Sequence, residues 1–389
     1  MSPVIIEATT DLHGSLTNDA MNQTNPLISY LHQTPAADTL RIDNGDFFTG
    51  SALASFYNLT AAGRPMVELA NACHFDVMIP GNHDLEWGIK HLQDLTAQLQ
   101  ADYVCANLTD LAGNLLFQPY TIKQKGTVKI GVIGLITSFL SQILDFQFTQ
   151  QLHILDVSEA LQKYLPELRD QADYVIVAYH GGLECDPATG RITEYNTGED
   201  QAYHLMHQFG SQIDGLICGH QHWLNSGYCG PVPFLQPGAH GQALGTFQLT
   251  TRLQQPQIIN STALPVMPSF TVPQYDAYLE WLTTSFNESI WQNFLKTYYA
   301  ADFYQVYLTA AKWQNLVMDF DPIYALKKYQ FSIDQGHQLF PQLQLQSPQK
   351  VITVLSNRSD LPFDRCIHQY VVNLLDRMSY FTQQQAANS

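Results

Sequence analysis

The chain has 389 residues, 45% of them apolar, enough for a sizeable core and more than one domain. Acidic residues outnumber basic ones by 35 to 18, a formal charge of −17. That balance excludes the basic footprint which a nucleic-acid polymer or an anionic membrane needs, but not a small anion held through bound divalent cations.

In chain order, Met1-Ser2-Pro3 runs into the strand-like "PVIIEAT" with no basic stretch or long apolar region, so no secretory leader is expected. "TLRIDNGD" reads as the next strand, Met66–Cys73 as a helix, "DVMIPGN" as a strand and Ile89–Gln100 as a helix. "YVCAN" and "VKIGVIGLI" follow as strands, then a helix near Val157–Ala172, the strand "DYVIVAYH" and a helix near Asp200–Phe209. The series closes with "DGLICGH", "VPFLQPG" and "LGTFQLTT". Runs apolar on both faces and separated by helices predict an α/β fold, with at least partly parallel sheets covered by helices. In such folds ligands gather beyond the carboxyl ends of strands.

The pattern breaks after Thr251. Gln254 to Gln274 is rich in Pro, Gln and Ser/Thr and reads as a linker with one short strand. The expected division is therefore a first domain over 1–253, a linker over 254–274 and a small C-terminal domain over 275–389. The last should hold a long helix around Tyr275–Ala300 and two strand-like runs, "FYQVYLT" and "KVITVLS". "KIGVIGLITSFL" is too short to cross a bilayer. The six cysteines form no C-x-x-C pair and read as reduced thiols, which predicts a cytoplasmic protein with no membrane contact.

Five strand ends share one design. Asp11 and His13 sit two apart before Gly14, so in extended chain their side chains face one side. Asp46 follows Gly45, and Asn82, His83, Asp84 and Glu86 follow Gly81. His180 precedes two glycines, and His220 and His222 follow Gly219. Each has a bland explanation as a turn or helix-cap residue. Five together do not, and in neighbouring strands of one sheet they would converge on one rim. Imidazoles, carboxylates and an amide, with no thiolate, suit Mn, Zn, Fe or a similar divalent ion. The donors exceed what one tetrahedral ion needs, so two ions are expected.

The order Asp-x-His, Gly-Asp, Gly-Asn-His-Asp, His, Gly-His-x-His resembles the calcineurin-like metallophosphoesterases. Within them, "ATTDLHG", "GNHDLEWG" and "QPGAHGQALG" resemble the 5'-nucleotidase / 2',3'-cyclic-nucleotide 2'-phosphodiesterase group, over roughly Val4 to Thr251. The resemblance implies α-β-β-α layers followed by a smaller, shortened C-terminal α/β domain. It implies that Asp11, His13, Asp46 and His222 hold one metal, and Asp46, Asn82, His180 and His220 the other, with Asp46 bridging. It further implies hydrolysis of a phosphoester, most simply a nucleotide, by in-line attack of a metal-bridging hydroxide. His83 would stabilise, and where needed protonate, the leaving oxygen. Glu86 stands where the family has the residue that orients this histidine, although a carboxylate in a helix's first turn also suits the dipole. Asp84 would support the ligands from outside.

Weaker candidates for substrate contact are His240, Arg358 and Arg365, each equally readable as a loop or surface residue. Aromatic residues such as Tyr298, Phe303, Tyr304, Trp313 and Phe363 could stack on a base, but at this density they read first as core. The family's Asn-Gly-Gly stretch for gripping a nucleoside is missing from the C-terminal segment. Two alternatives therefore stand beside a nucleotide phosphoesterase: hydrolysis of another small phosphoester or diphosphate, and non-catalytic binding of metal or nucleotide. The intact set of candidate ligands argues against the second.

Overall fold

A computed structural model of the chain describes residues 4–18, 23–139, 152–193, 197–249, 256–265, 267 and 272–278, and the backbone of 327–332 and 351–356. The chain divides into two compact units, one of residues 1–16, 24–50 and 63–270, the other of residues 17–23, 51–62 and 271–389.

The first unit is built on two six-stranded sheets. One contains β1 (Val4–Thr9), β2 (Thr39–Asp43), β3 (Val77–Met78) and β4 (Asp102–Tyr103), all parallel. The other contains the parallel strands β6 (Val128–Ile136), β7 (Tyr174–His180), β8 (Gly215–Ile217) and β10 (Val232–Pro237). Antiparallel strands complete both: β11 (Ala243–Leu249) beside β1 with β12 (Gln257–Asn260) beside β11, β9 (Leu224–Cys229) beside β10, and β5 (Tyr120–Lys125) beside β6.

Period-two alternation sorts the side chains into layers. Ile6, Ala8, Leu40 and Ile42 of the first sheet share one buried cluster with Val132, Ile176, Ala178 and Ile217 of the second, so the sheets pack face to face. The alternate residues Ile133, Leu135, Val175 and Val177 pack outward on α5 (Val157–Gln171) through Leu161, Leu165 and Leu168, and on α6 (Ala202–Phe209) through Leu205 and Phe209. The outer face of the first sheet meets α1 (Pro26–Leu31) and α3 (Arg64–Ala72). There the buried Arg41 of β2 donates to the carbonyls of Leu31 and Cys73, at 2.6 and 3.0 Å, and to Glu7 Oε2 at 2.7 Å. The layers are α-β-β-α.

Two differences from the sequence reading have physical causes. The strand ends come from two sheets rather than one. A run that packs against helices on one face and a second sheet on the other is apolar on both faces, as a central strand of a single sheet would be. The polar runs β5 (YTIKQK) and β9 (LNSGYC) also form strands, which apolar periodicity misses because both lie at sheet edges. The one short strand expected in the linker is β12, at an edge of the first sheet.

In the second unit, Ser51 caps α2 (Ala52–Ala61) by accepting from Ala54 N. Tyr57 donates to the Pro273 carbonyl, and Phe56 packs against Tyr278 with ring centroids 5.8 Å apart. β13 (Lys327–Ser332) pairs antiparallel with β14 (Val351–Ser356), which falls in the expected strand "KVITVLS". The helix expected over Tyr275–Ala300 lies outside the described residues beyond Tyr278, as does "FYQVYLT". Cys73, Cys105, Cys185, Cys218 and Cys229 are free thiols, and among the described residues no helix is long and apolar enough to cross a membrane.

Candidate metal centre

The loops after β1, β2, β3, β7 and β8, all at carboxyl ends, carry the residues singled out by sequence. They meet between the two sheets. Along β7 the parity that turns Ile176 and Ala178 toward the opposite sheet also turns His180 there. Asp11, His13, Asp46, Asn82 and His180 are all at most 1% exposed.

The chain strains its backbone to make this cluster. Of nine described non-glycine residues with positive φ, six belong here: Asp11, His13, Asp46, His220, His222 and His240. Left-handed backbone costs L-residues free energy, and its concentration at one place marks a functional constraint. Close packing adds to this. A Cβ on Gly81 would lie 2.1 Å from Asp46 Oδ1, and one on Gly219 would lie 2.8 Å from Asp11 Oδ2. Asp84 shapes the loops from below, accepting from Asp46 N and Gly81 N at 2.9 Å and from Phe48 N at 2.8 Å. Burial, then the Asp46 carboxylate, push Asp84 up to about 7.

Hydrogen bonds fix the tautomers. His13 donates from Nδ1 to Thr49 O at 3.0 Å, and His180 from Nδ1 to Asn44 O at 2.7 Å. A carbonyl can only accept, so both rings turn Nε2 inward. His180 Nε2 lies 3.2 Å from Asp46 Oδ2 and 3.1 Å from Asn82 Oδ1. His13 Nε2 lies 3.1 Å from His222 Nε2 and 3.8 Å from the same Asp46 oxygen. Asp46 Oδ2 thus stands between the two rings, the place a bridging ligand takes. His220 is reversed, with Nδ1 2.8 Å from Asn82 Oδ1 and Nε2 2.7 Å from Glu199 Oε1. Asp11 Oδ1 is 3.3 Å from His222 Nε2 and 3.8 Å from His180 Nε2.

Acceptors crowded this closely call for positive charge. Burial drives His180 down, but Asp46 and Asp11 overcome it and hold the ring up to about 10. Burial raises Asp11, yet His180 and His222 bring it down to about 2. At His13 burial, helped by the His222 and His83 rings, outweighs Asp46 and Asp11 and brings the ring down to about 3. By spacing alone the donors form two groups, Asp11/Asp46/His180 and His13/His222/His240. The partition implied by resemblance differs in joining Asp11 to His13 and His222. Nitrogen and oxygen donors without thiolate fit divalent metal ions.

His83 lies just outside. Its ring stands 5.1 Å from that of His13, its backbone N–H donates to Asp46 Oδ1 at 2.7 Å, and Nδ1 lies 2.6 Å from Glu86 Oε1. His240 is packed into the site, stacked on His13 with centroids 4.9 Å apart and 2.7 Å from Ser15 Oγ through Nδ1. Arg358 and Arg365 lie outside the described residues. Sequence reasoning missed Glu199, Thr49 and Asn44. Two of these act through main-chain carbonyls, which carry no side-chain signal, and Glu199 in "TGED" reads as an ordinary cap before α6.

The family model described as calcineurin-like phosphoesterase matches residues 6–224, the span that holds every residue of this cluster except His240. The chain belongs to the calcineurin-like phosphoesterase family. It is 27% identical over 285 residues to a 2',3'-cyclic-nucleotide 2'-phosphodiesterase/3'-nucleotidase of Salmonella typhimurium, covering 63% of this chain and 42% of that protein. It is 24% identical over 287 residues to the trifunctional nucleotide phosphoesterase YfkN of Bacillus subtilis, covering 63% and 19%. This calcineurin-like phosphoesterase thus spans less than half the length of these relatives. Its fold superposes on the Bacillus subtilis YfkN structure with a TM-score of 0.60 at 20% identity, covering 72% of this chain and 98% of that one. Against a 5'-nucleotidase precursor of Thermus thermophilus the TM-score is 0.54 at 18% identity, covering 73% and 60%.

Proposed function

We propose that this chain is a hydrolase of phosphoric esters that works with two divalent metal ions and takes a nucleotide, either a 5'-nucleotide or a 2',3'-cyclic nucleotide. One observation carries the reading: nitrogens of His13, His180, His220 and His222 converge with Asp11, Asp46 and Asn82 Oδ1 in one cluster of two adjoining donor groups. Asp11, His13, Asp46 and His222 would hold one ion, and Asp46, Asn82, His180 and His220 the other. When bound, the ions supply charge neutralisation at the phosphoryl oxygens and an acidified water.

The chain's own residues do the rest. Burial of Asp46 and His180 keeps bulk water from the ligands, which strengthens every interaction there. Glu86 accepts from His83 Nδ1 and orients the ring, and in the imidazolium form its Nε2–H would donate to the leaving oxygen. The nucleotide assignment is supported by the activities for which the relatives are named, and the base would have to be recognised by residues beyond the matched span.

The test is phosphate or alcohol release from an aryl phosphate, an aryl diester, 5'-AMP and 2',3'-cyclic AMP, with Mn²⁺ and with chelator. The expected result is Mn²⁺-dependent turnover of a nucleotide well above the aryl esters. Turnover of aryl esters alone would keep the hydrolase and reject the nucleotide. No turnover by metal-loaded protein would reject both in favour of a binding protein.

A further inference from the structure

His220 is held unlike the other rings. His13 and His180 rest their outer nitrogen on neutral backbone carbonyls, whereas the outer nitrogen of His220 meets a carboxylate, Glu199 Oε1, at 2.7 Å. Glu199 sits in a segment pinned on several sides. Its carbonyl accepts from Thr137 Oγ1 at 2.7 Å and Tyr179 OH at 3.1 Å, tying it to the ends of β6 and β7. The adjoining Asp200 accepts from Gly182 N at 2.5 Å and from Gln221 Nε2 at 3.1 Å. Gln221 lies between His220 and His222 in the chain, and its Oε1 accepts from Leu183 N at 2.8 Å. The same segment therefore braces both β7's end and the loop that carries the two histidines.

The geometry points to Glu199 as a positioning residue: it accepts a hydrogen bond from the Nε2–H of His220, and so presents the Nδ1 lone pair beside Asn82 Oδ1 as a metal ligand. A carboxylate behind an imidazole fixes its tautomer and orientation and increases its basicity toward a cation. A neutral carbonyl fixes the ring equally well but raises its basicity less. The ion shared by Asn82, His180 and His220 thus depends on a charge that lies outside its own ligands. This inference rests on the metal-centre reading above.

The experiment compares full-length wild type, Glu199→Gln and Glu199→Ala. Each is titrated with Mn²⁺ alone by calorimetry, loaded with Co²⁺ for its visible absorption spectrum, and melted in chelator. Glu199→Ala is expected to weaken one of two Mn²⁺ sites by roughly 10–100-fold. The Co²⁺ spectrum should change, and the melting temperature in chelator should stay at the wild-type value. Glu199→Gln retains an acceptor oxygen and loses the charge, so it should weaken the same site by less. Wild-type affinities and an unaltered spectrum in both variants would overturn the proposal. So would a lowered melting temperature in chelator that tracks the loss of metal, which would make Glu199 merely structural. Wild type that binds no Mn²⁺ would sink the metal-centre reading itself, a failure seen before any variant is compared.

Discussion

At Asp46 a single carboxylate serves both halves of the cluster. Oδ1 accepts the His83 N–H, Oδ2 stands between His13 and His180, and Asp84 holds its backbone. Asp46→Ala should therefore abolish metal-dependent turnover and metal loading together; a variant that keeps both would contradict the bridging role. His83 has the opposite signature, because it meets the cluster through its backbone N–H on Asp46 and its ring Nδ1 is engaged by Glu86. His83→Ala is expected to lower kcat by roughly 10²–10⁴-fold with metal content unchanged, read by metal analysis beside steady-state kinetics. Loss of metal in that variant would place His83 among the ligands. These side chains were legible in the sequence because strand ends rich in His and Asp beside glycine are unusual in combination. Glu199 was not, because one acidic residue before a helix has an adequate explanation as a cap. The stacking of His240 on His13 was equally hidden, since it depends on how two distant loops close.

At the scale of strands and helices, the site exists because parallel strands from two facing sheets end together. Sequence periodicity identified most of those strands but not their sheet, since the inter-sheet and helix-facing sides are equally apolar. The first sheet is tied to its helices by Arg41, which donates to Glu7 and to the carbonyls of Leu31, Gln33 and Cys73. Arg41→Ala strands a buried carboxylate and three carbonyls. It should cost roughly 3–5 kcal/mol in urea unfolding. A cost below about 1 kcal/mol, the range of an exposed pair, would show that water reaches this pair. Gly81 has a different role, since any Cβ there meets Asp46 itself. Gly81→Ala should lose metal affinity even where the fold survives, and circular dichroism with metal titration separates the two effects.

Over the whole molecule, a charge of −17 raises the cost of bringing two carboxylates together, and bound cations offset that cost. Metal should therefore stabilise the first unit. At a hundredfold excess over Kd each ion contributes about 2.7 kcal/mol, which for a unit of this size moves Tm by roughly 5–10 °C. Calorimetric melting with Mn²⁺ and with chelator reads the shift, and coincident curves would contradict it. The α-β-β-α architecture was legible through family resemblance, while the order of runs read only as an α/β fold with partly parallel sheets. The stretch whose composition reads as linker was expected to hold one short strand, and β12 is that strand, at an edge of the first sheet.

The most direct test of the metal centre is the anomalous difference map of a crystal grown with Mn²⁺. Two peaks about 3.5–4 Å apart are predicted, one against Asp11, His13 and His222, the other against Asn82, His180 and His220, with Asp46 between them. A single peak, or peaks away from Asp46, would contradict it.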